Sequence, residues 1–394
     1  MREAVIVDAV RTPVGKGREG GILQDWHPVD LFSEILHALV DRNGIEAGEI
    51  DDVIGGVVTQ IGEQGGNLTR QAVLAAGFPE RVPATTIDRK CGSSQQAAHF
   101  AAQGVMAGAY DMAIAGGVEM LSRVAMQSNT RGSDHLGPRL RERYRDDPLV
   151  PQGISAELVA SKWALSRSEL DDFSLESHRR AAKAADTGMF DREILPVTSG
   201  SGTVGRDEGI RPDTSAEKLA ALQPAFRTEA FESRFPNLGW VVTAGNTSQI
   251  SDGASGVLIA SADSARKHGL APRARFVDFA VVGDDPLLML MGIIPATQIV
   301  LDRSGLGIDD IDLFEVNEAF ASVVLAWMQE FAVDPSKVNV NGGAIALGHP
   351  LGCSGTRLMT TLLHALEDRG GRYGLQVMCE AGGQANATII ERTA

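Results

Sequence analysis

Cysteine is scarce: 394 residues contain three, Cys91, Cys353 and Cys379. So few, so scattered, they exclude a disulfide framework and a zinc knuckle and fit reduced thiols in a cytosol. Long hydrophobic runs are missing too. No apolar stretch reaches the roughly 18 residues of a membrane span. The opening Met1-Arg2-Glu3-Ala4-Val5-Ile6-Val7 meets an acid too early for a secretory signal, and Glu391-Arg392-Thr393-Ala394 is not a peroxisomal address. Positive charge is in deficit, with 36 Lys and Arg against 51 Asp and Glu and a net charge of −15. That balance argues against a nucleic-acid footprint and against adhesion to anionic membranes. An anionic ligand would need a locally basic mouth. A soluble, cytoplasmic protein is expected.

What is present is α/β in character: 43% apolar residues and 44 glycines. Ala4–Val10 reads as a strand buried on both faces. Arg11–Gly21 is a glycine-rich loop without the Gly-Lys-Ser/Thr of a phosphate loop. Val29–Arg42 has helical periodicity, and Asp52–Val58 returns to strand. This helix–turn–strand unit recurs: Asp41-Arg42-Asn43-Gly44-Ile45 leads to Asp51-Asp52-Val53-Ile54, as Asp302-Arg303-Ser304-Gly305-Leu306 leads to Asp310-Ile311-Asp312-Leu313. Asp111–Gly117 likewise matches Leu375–Gly383. The reading is a duplicated α/β domain with mostly parallel sheets and a site where the halves meet, beyond the strand C-termini. The halves are placed at 1–120, with a return at 240–270, and at 271–394. Between them, 121–239 forms an insertion, either surface decoration or a lid. Within it, 130–151 reads as mostly loop, 156–163 and 168–187 as helices with Ser168 as N-cap, and 199–212 as a glycine-rich turn region.

The chemistry gathers at strand-to-helix junctions. Ala84-Thr85-Thr86-Ile87 reads as a buried strand and Ala97–Met106 as a helix, with Cys91-Gly92-Ser93-Ser94 between them. The unpaired N–H groups and dipole of that helix, with Arg89 and Lys90, are expected to push Cys91 toward thiolate. The alternative is a buried structural cysteine. Phe314–Ala321 brings Asn317 and Glu318 to another junction, a glycine-rich excursion over 339–352 presents His349, and Cys379 ends a strand. A Cys, a His and a second Cys at one sheet edge have the parts for two-stage acyl transfer, with Asn317 and backbone N–H groups as oxyanion donors. Taken singly, His349 could anchor a loop, Cys379 pack a strand and Asn317 cap a helix. Cys353 reads as a buried helix residue.

Cys91-Gly92-Ser93-Ser94-Gln95-Gln96-Ala97, Asn317-Glu318-Ala319-Phe320, the run from Gly342 through His349-Pro350-Leu351 to Gly352, and the Cys379 turn stand in the order and spacing of thiolases. The chain resembles that family throughout its length. The resemblance implies the thiolase fold, two α/β halves layered α-β-α-β-α. It implies Cys91 as acyl-accepting nucleophile, His349 as its activator and Cys379 as the acid/base for the acetyl-CoA carbanion. Asn317 would hold a water that forms one oxyanion hole with His349; the N–H groups of Cys91 and Ala381 would form the other. Ala244 and Ser248 match positions along the pantetheine, Arg211 a basic residue near the adenine nucleotide, Phe320 the acyl-side tunnel, and Ala319 is a further substrate-binding position. Coenzyme A enters as substrate, with no prosthetic group and no metal, and the assembly is a homodimer or homotetramer.

Departures from the pattern carry information. Cys379-Glu380-Ala381-Gly382-Gly383 puts alanine where glycine is common, a cost on the order of 1 kcal/mol if the backbone takes positive φ. Val150-Pro151-Gln152-Gly153-Ile154-Ser155 lacks the His-Met pair of short-chain biosynthetic members, against acetoacetyl-CoA synthesis. Glu63-Gln64, Gln95-Gln96 and Cys379-Glu380 resemble actinobacterial thiolases of fatty-acid and sterol degradation. The expected activity is 3-oxoacyl-CoA thiolysis to acetyl-CoA or propionyl-CoA and a shortened acyl-CoA. The alternatives are acetyl transfer in the condensing direction, a ketoacyl-synthase-type condensing enzyme, or a non-catalytic acyl-CoA or sterol carrier. A Cys-His hydrolase is weakest, because no third residue is evident to orient the His.

Overall fold

The computed structural model describes residues 2–200 and 202–393. Met1 of the opening segment, Ser201 of the glycine-rich turn and the terminal Ala394 lie outside the described residues. Ten strands form one sheet. Its order is Leu313–Val316, Tyr373–Glu380, Gln384–Arg392, Ala274–Gly283, Ala4–Arg11, Ser251–Ser261, Met112–Met120, Asp52–Gly56 and Ala84–Ile87, with Gly15–Lys16 beside Ser251–Ser261. In the first half Ala4–Arg11, Asp52–Gly56, Ala84–Ile87 and Met112–Met120 run one way; Ser251–Ser261 alone runs counter. In the second half Gln384–Arg392 is the counter-running strand. The halves are therefore mostly parallel, although the ladders on either side of each counter-running strand are antiparallel. They join edge to edge through two residue pairs, Val5↔Arg275 and Ile6↔Ala274.

The repeat seen in the sequence is a repeat in space. Pro28–Asn43 and Ile293–Ser304 each end on a left-handed glycine, Gly44 (φ 61°) and Gly305 (φ 71°), and a single helical turn leads each into a strand. Helices Ser93–Ala107 and Ser354–Arg369 form the middle layer. The first leans on strands of the second half, where His99 stacks on Phe279 with centroids 4.7 Å apart and Gln95 Nε2 donates to Thr388 Oγ1 at 2.7 Å. The second leans on the first half, where Ser255 Oγ donates to Cys353 O at 2.8 Å. Ala98, Ala101 and Val105 pack there against Met359, Leu362 and Leu366. Outer helices cover the far faces, with Phe32, Ile35 and Leu39 on one side and Val300, Val323 and Trp327 on the other. Each such apolar side chain contributes about 1.5–3 kcal/mol through burial. The result is five layers, α-β-α-β-α.

Four local expectations need correction. Ala84–Ile87 is an edge strand with Thr85 exposed, not a buried one, because only Asp52–Gly56 pairs with it. The helix expected from Ser168 is Arg167–Asp186, capped by Ser166 in a capping box with Glu169, since Ser166 stands three residues before that acid. Gly137–Arg143 is helical within a stretch read as loop. Val197–Ser199 pairs with Gly202–Val204 in what was read as turn.

The stretch between the halves is more than decoration. Helix Gln152–Lys162 buries Ala156, Val159 and Ala160 in the second half's core, and Ser155 Oγ donates to Leu287 O at 2.7 Å. Glu157 accepts from Val241 N and Val242 N at 2.9 and 2.8 Å, returning the chain to the site.

Candidate active site

Cys91 follows the edge strand through a turn that is left-handed at Lys90, φ 50°. A non-glycine residue there carries strain of about 1–2 kcal/mol, and local bonds hold it. Lys90 N and Nζ donate to Asp88, both at 2.7 Å. Arg89 N donates to Ser93 Oγ at 2.9 Å, and that hydroxyl donates to Lys90 O at 2.6 Å. Cys91 packs with Leu358, Met378 and Leu351.

The expected thiolate is overturned. Burial pushes the Cys91 thiol well up, and negative charge on the neighbouring Cys379 or Glu380 would push the same way. The two cations do not reach it: Lys90 is spent on Asp88, and Arg89 Nη1 donates to Gln384 Oε1 at 2.9 Å. Desolvation outweighs the helix terminus here. Cys91 rests as a thiol and needs a base.

His349 follows Gly348 (φ 109°), its backbone N–H shared between Gln249 O and Ser251 Oγ, both at 3.1 Å. Its imidazole is buried, and a residue that sequence reasoning missed orients it. Ser354 Oγ lies 2.6 Å from His349 Nδ1 and 2.8 Å from Pro350 O. The hydroxyl proton goes to the carbonyl, so Ser354 Oγ accepts from Nδ1–H. That assignment leaves Nε2 as the bare, basic nitrogen. Burial and then the charge of Arg357 lower the imidazole to about 3, so it is neutral at physiological pH.

Asn317, at the end of Leu313–Val316, is fixed by its N–H to Val377 O at 3.1 Å. Its Nδ2 lies 3.4 Å from His349 Nε2. Its Oδ1 has no protein partner. Burial pushes Cys379 up to about 12, with Asn317 opposing. The structure thus brings together Cys91, Asn317, His349 and Cys379. Glu318, from the same junction, is spent on structure: it accepts from Ser177 Oγ, Asn339 Nδ2 and Ile345 N at 2.7, 2.9 and 3.1 Å. Glu119, unremarked in the sequence, does the same under the histidine turn. Its Oε2 accepts from Val58 N and Gly352 N at 2.9 and 3.0 Å, its Oε1 from Gln64 Nε2 and Thr59 N at 2.9 and 3.1 Å.

The remaining positions lie around this centre. Arg211 is exposed, with Nη2 3.4 Å from Gln249 Oε1, and Gln249 O bonds the His349 N–H. Ala244 is exposed and Ser248 half-buried, its N–H on Ala319 O at 3.0 Å. Phe320 is buried, and Phe226 meets it edge-on with centroids 6.0 Å apart. Gly153 lies so close that a methyl there would overlap the Phe226 ring. Ala381 is not among the residues with positive φ; Gly382 (86°) and Gly383 (75°) take that conformation instead. The methyl therefore carries none of the feared cost. Among the described residues no cluster of His, Cys, Asp and Glu could hold a metal ion.

Comparison with known proteins matches the chain over its whole length. The model of the thiolase N-terminal domain matches residues 4–263 and that of the C-terminal domain residues 270–392. The chain belongs to the thiolase family. A steroid 3-ketoacyl-CoA thiolase of Mycobacterium tuberculosis is 50% identical over 400 residues, covering 100% of this chain and 95% of that protein. A 3-ketoacyl-CoA thiolase of Serratia proteamaculans is 43% identical with 100% of both chains covered. Among solved structures, the acetyl-CoA acetyltransferase of Bacillus anthracis superposes with a TM-score of 0.87 at 38% identity, covering 100% of this chain and 99% of that one.

Proposed function

We propose that this thiolase is a 3-oxoacyl-CoA thiolase of fatty-acid or steroid-type β-oxidation. The observation that carries the reading is the pair of buried thiols beside a neutral histidine whose Nε2 is left basic by Ser354. Cys91 Sγ attacks the C3 carbonyl of the substrate while His349 Nε2 takes the thiol proton. Coupling the two steps avoids a resting ion pair, which burial disfavours on both partners. The C2–C3 bond then breaks, and the departing acetyl-CoA or propionyl-CoA carbanion takes its proton from Cys379. Coenzyme A gives its thiol proton to the Cys379 thiolate and attacks the Cys91 thioester; the shortened acyl-CoA leaves, and the released Cys91 thiolate takes its proton back from His349 Nε2. Asn317 and His349 serve one oxyanion through a water; the N–H groups of Cys91 and Ala381 serve the other.

Coenzyme A is substrate, with no prosthetic group. Arg211, Ala244 and Ser248 line its path, and Ala319 and Phe320 face the acyl group, with Phe226 over Gly153 as the wall. The segment 121–239 acts as lid and wall between halves at 1–120 with 240–270 and at 271–394. A homodimer or homotetramer in the cytoplasm fits the half-exposed edge strand Ala84–Ile87, and no helix among the described residues is long and apolar enough to cross a membrane. The similarity to a protein named for steroid substrates favours a bulky acyl group.

The test is thiolysis of acetoacetyl-CoA, a medium-chain and a ring-bearing 3-oxoacyl-CoA, followed by loss of the 3-oxoacyl-CoA absorbance. Cleavage of the larger substrates with an acyl group trapped on Cys91, and neither event in Cys91→Ala, is expected. No cleavage of any substrate, or full activity in Cys91→Ala, overturns the reading.

A further inference from the structure

Glu380 has no part in the mechanism above, yet it stands next to Cys379 with its side chain fully buried and both carboxyl oxygens without a partner. It lies on the inward face of its strand with Gln376 and Met378, and across the ladder from Gln384 (Glu380↔Gln384, Met378↔Asn386, Gln376↔Thr388). Its carboxyl fills a notch at the backbone of Gly92: a methyl on Gly92 would overlap Glu380 Oε1. A side chain at the cap of the Cys91 helix would have to displace this carboxyl.

The surroundings are short of donors. Gln95 Oε1, Gln376 Oε1 and Asn386 Oδ1, in the same buried layer between helix and strands, also lack partners. A carboxylate would add acceptors to that layer and a charge without a protein partner to a buried interior, which costs several kcal/mol. A carboxylic acid adds one O–H donor. Two charged groups face it: Arg89, which bonds the neutral Gln384 and keeps its charge, and Asp88, which is paired with Lys90. The remaining titratable neighbours are the thiols of Cys91 and Cys379, and a charge on Glu380 would raise both. Burial drives the Glu380 carboxyl well above the usual range, opposed by Arg89.

We propose that Glu380 is a positioning residue: its carboxyl keeps its proton in the resting enzyme and docks the Cys379 strand onto the Cys91 turn, so that no negative charge faces either sulfur before the reaction creates it. The proposal rests on the thiolase reading. Its first measurement does not: an infrared difference spectrum of resting wild type against Glu380→Gln at pH 7. The expected signal is the C=O stretch of a protonated carboxyl; carboxylate bands in its place overturn the proposal. In thiolysis, Glu380→Gln, neutral and of the same shape, should stay within about threefold of wild-type kcat. Glu380→Ala should lose about a hundredfold in kcat, the scale of a misplaced reacting group, while KM for coenzyme A holds. Equal losses in the two variants refute docking by this group. Alkylation of Cys91 at pH 7 about tenfold faster in the Gln variant than in wild type refutes the neutral state, since a factor of ten is about 1.4 kcal/mol of charge repulsion relieved. A wild type that cleaves no 3-oxoacyl-CoA defeats the proposed function and leaves the infrared result standing.

Discussion

Ser354→Ala removes one hydroxyl that touches no substrate in the mechanism proposed for Cys91, and the consequence can be worked from two distances. The Ser354 hydroxyl accepts from His349 Nδ1 at 2.6 Å and donates to Pro350 O at 2.8 Å, both in a buried setting. Together they bias the neutral imidazole toward the tautomer with Nε2 bare. A buried hydrogen bond of this kind contributes about 1–2 kcal/mol, and its loss leaves Nδ1–H unsatisfied. The bias toward the productive tautomer then falls by about 5–30-fold, at 1.4 kcal/mol per factor of ten. Acylation of Cys91 should slow by that factor, read as the pre-steady-state burst of thiolysis. KM for coenzyme A should hold, because Arg211 and Ser248, which we propose line its path, are untouched. Ser354→Thr, which keeps the hydroxyl, should recover most of the rate. A full-amplitude burst at the wild-type rate in Ser354→Ala would refute the tautomer argument.

Three further outcomes are expected. Glu119→Gln must aim its amide NH2 at two N–H donors in either orientation, so it should cost about 2–5 kcal/mol in denaturant unfolding and lower kcat through Gly352; unchanged stability would mean that the carboxylate is not the anchor. Cys379→Ala should still take up an acyl group at Cys91 but lose proton exchange at C2 of acetyl-CoA; wild-type exchange would place the carbanion's acid elsewhere. His99 is lowered by burial from 6.5 to about 3, so the unfolded chain binds more protons between those values and wild-type stability falls as pH drops through 6.5. His99→Gln lacks that term, and its stability gap to wild type should shift in the variant's favour by about 2 kcal/mol from pH 7 to pH 5; a constant gap would show that His99 titrates normally.

Local signals and junction chemistry were legible in the sequence; distant compensation was not. The duplicated helix–turn–strand unit could be read because Gly44 and Gly305 each end a helix of the same period before a strand. Cys91, Asn317, His349 and Cys379 could be singled out because each sits where an element ends. The orientation of His349 was hidden because its partner, five residues on, meets it only across the Pro350 turn. Glu119 was hidden because it binds Gly352, 233 positions away. The protonation of Cys91 was misjudged for a related reason. Arg89 and Lys90 are adjacent in sequence, but Arg89 is turned onto Gln384, Lys90 is paired with Asp88, and burial decides. The cap at Ser166 rather than Ser168 was a misread of spacing, since a capping box sets the serine three residues before its acid.

The two-pair seam between the sheet halves and the helices shared between them constrain how the chain is made. Strands of the first half emerge early, but one of the two helices against their inner face, Ser354–Arg369, is translated near the end. At ~5–20 residues per second on the ribosome, that face waits tens of seconds for its cover. The nascent first half is therefore an open sheet with an apolar side, a natural client for a chaperone. A truncation ending before Ser354 should behave as an aggregating fragment rather than as a smaller domain.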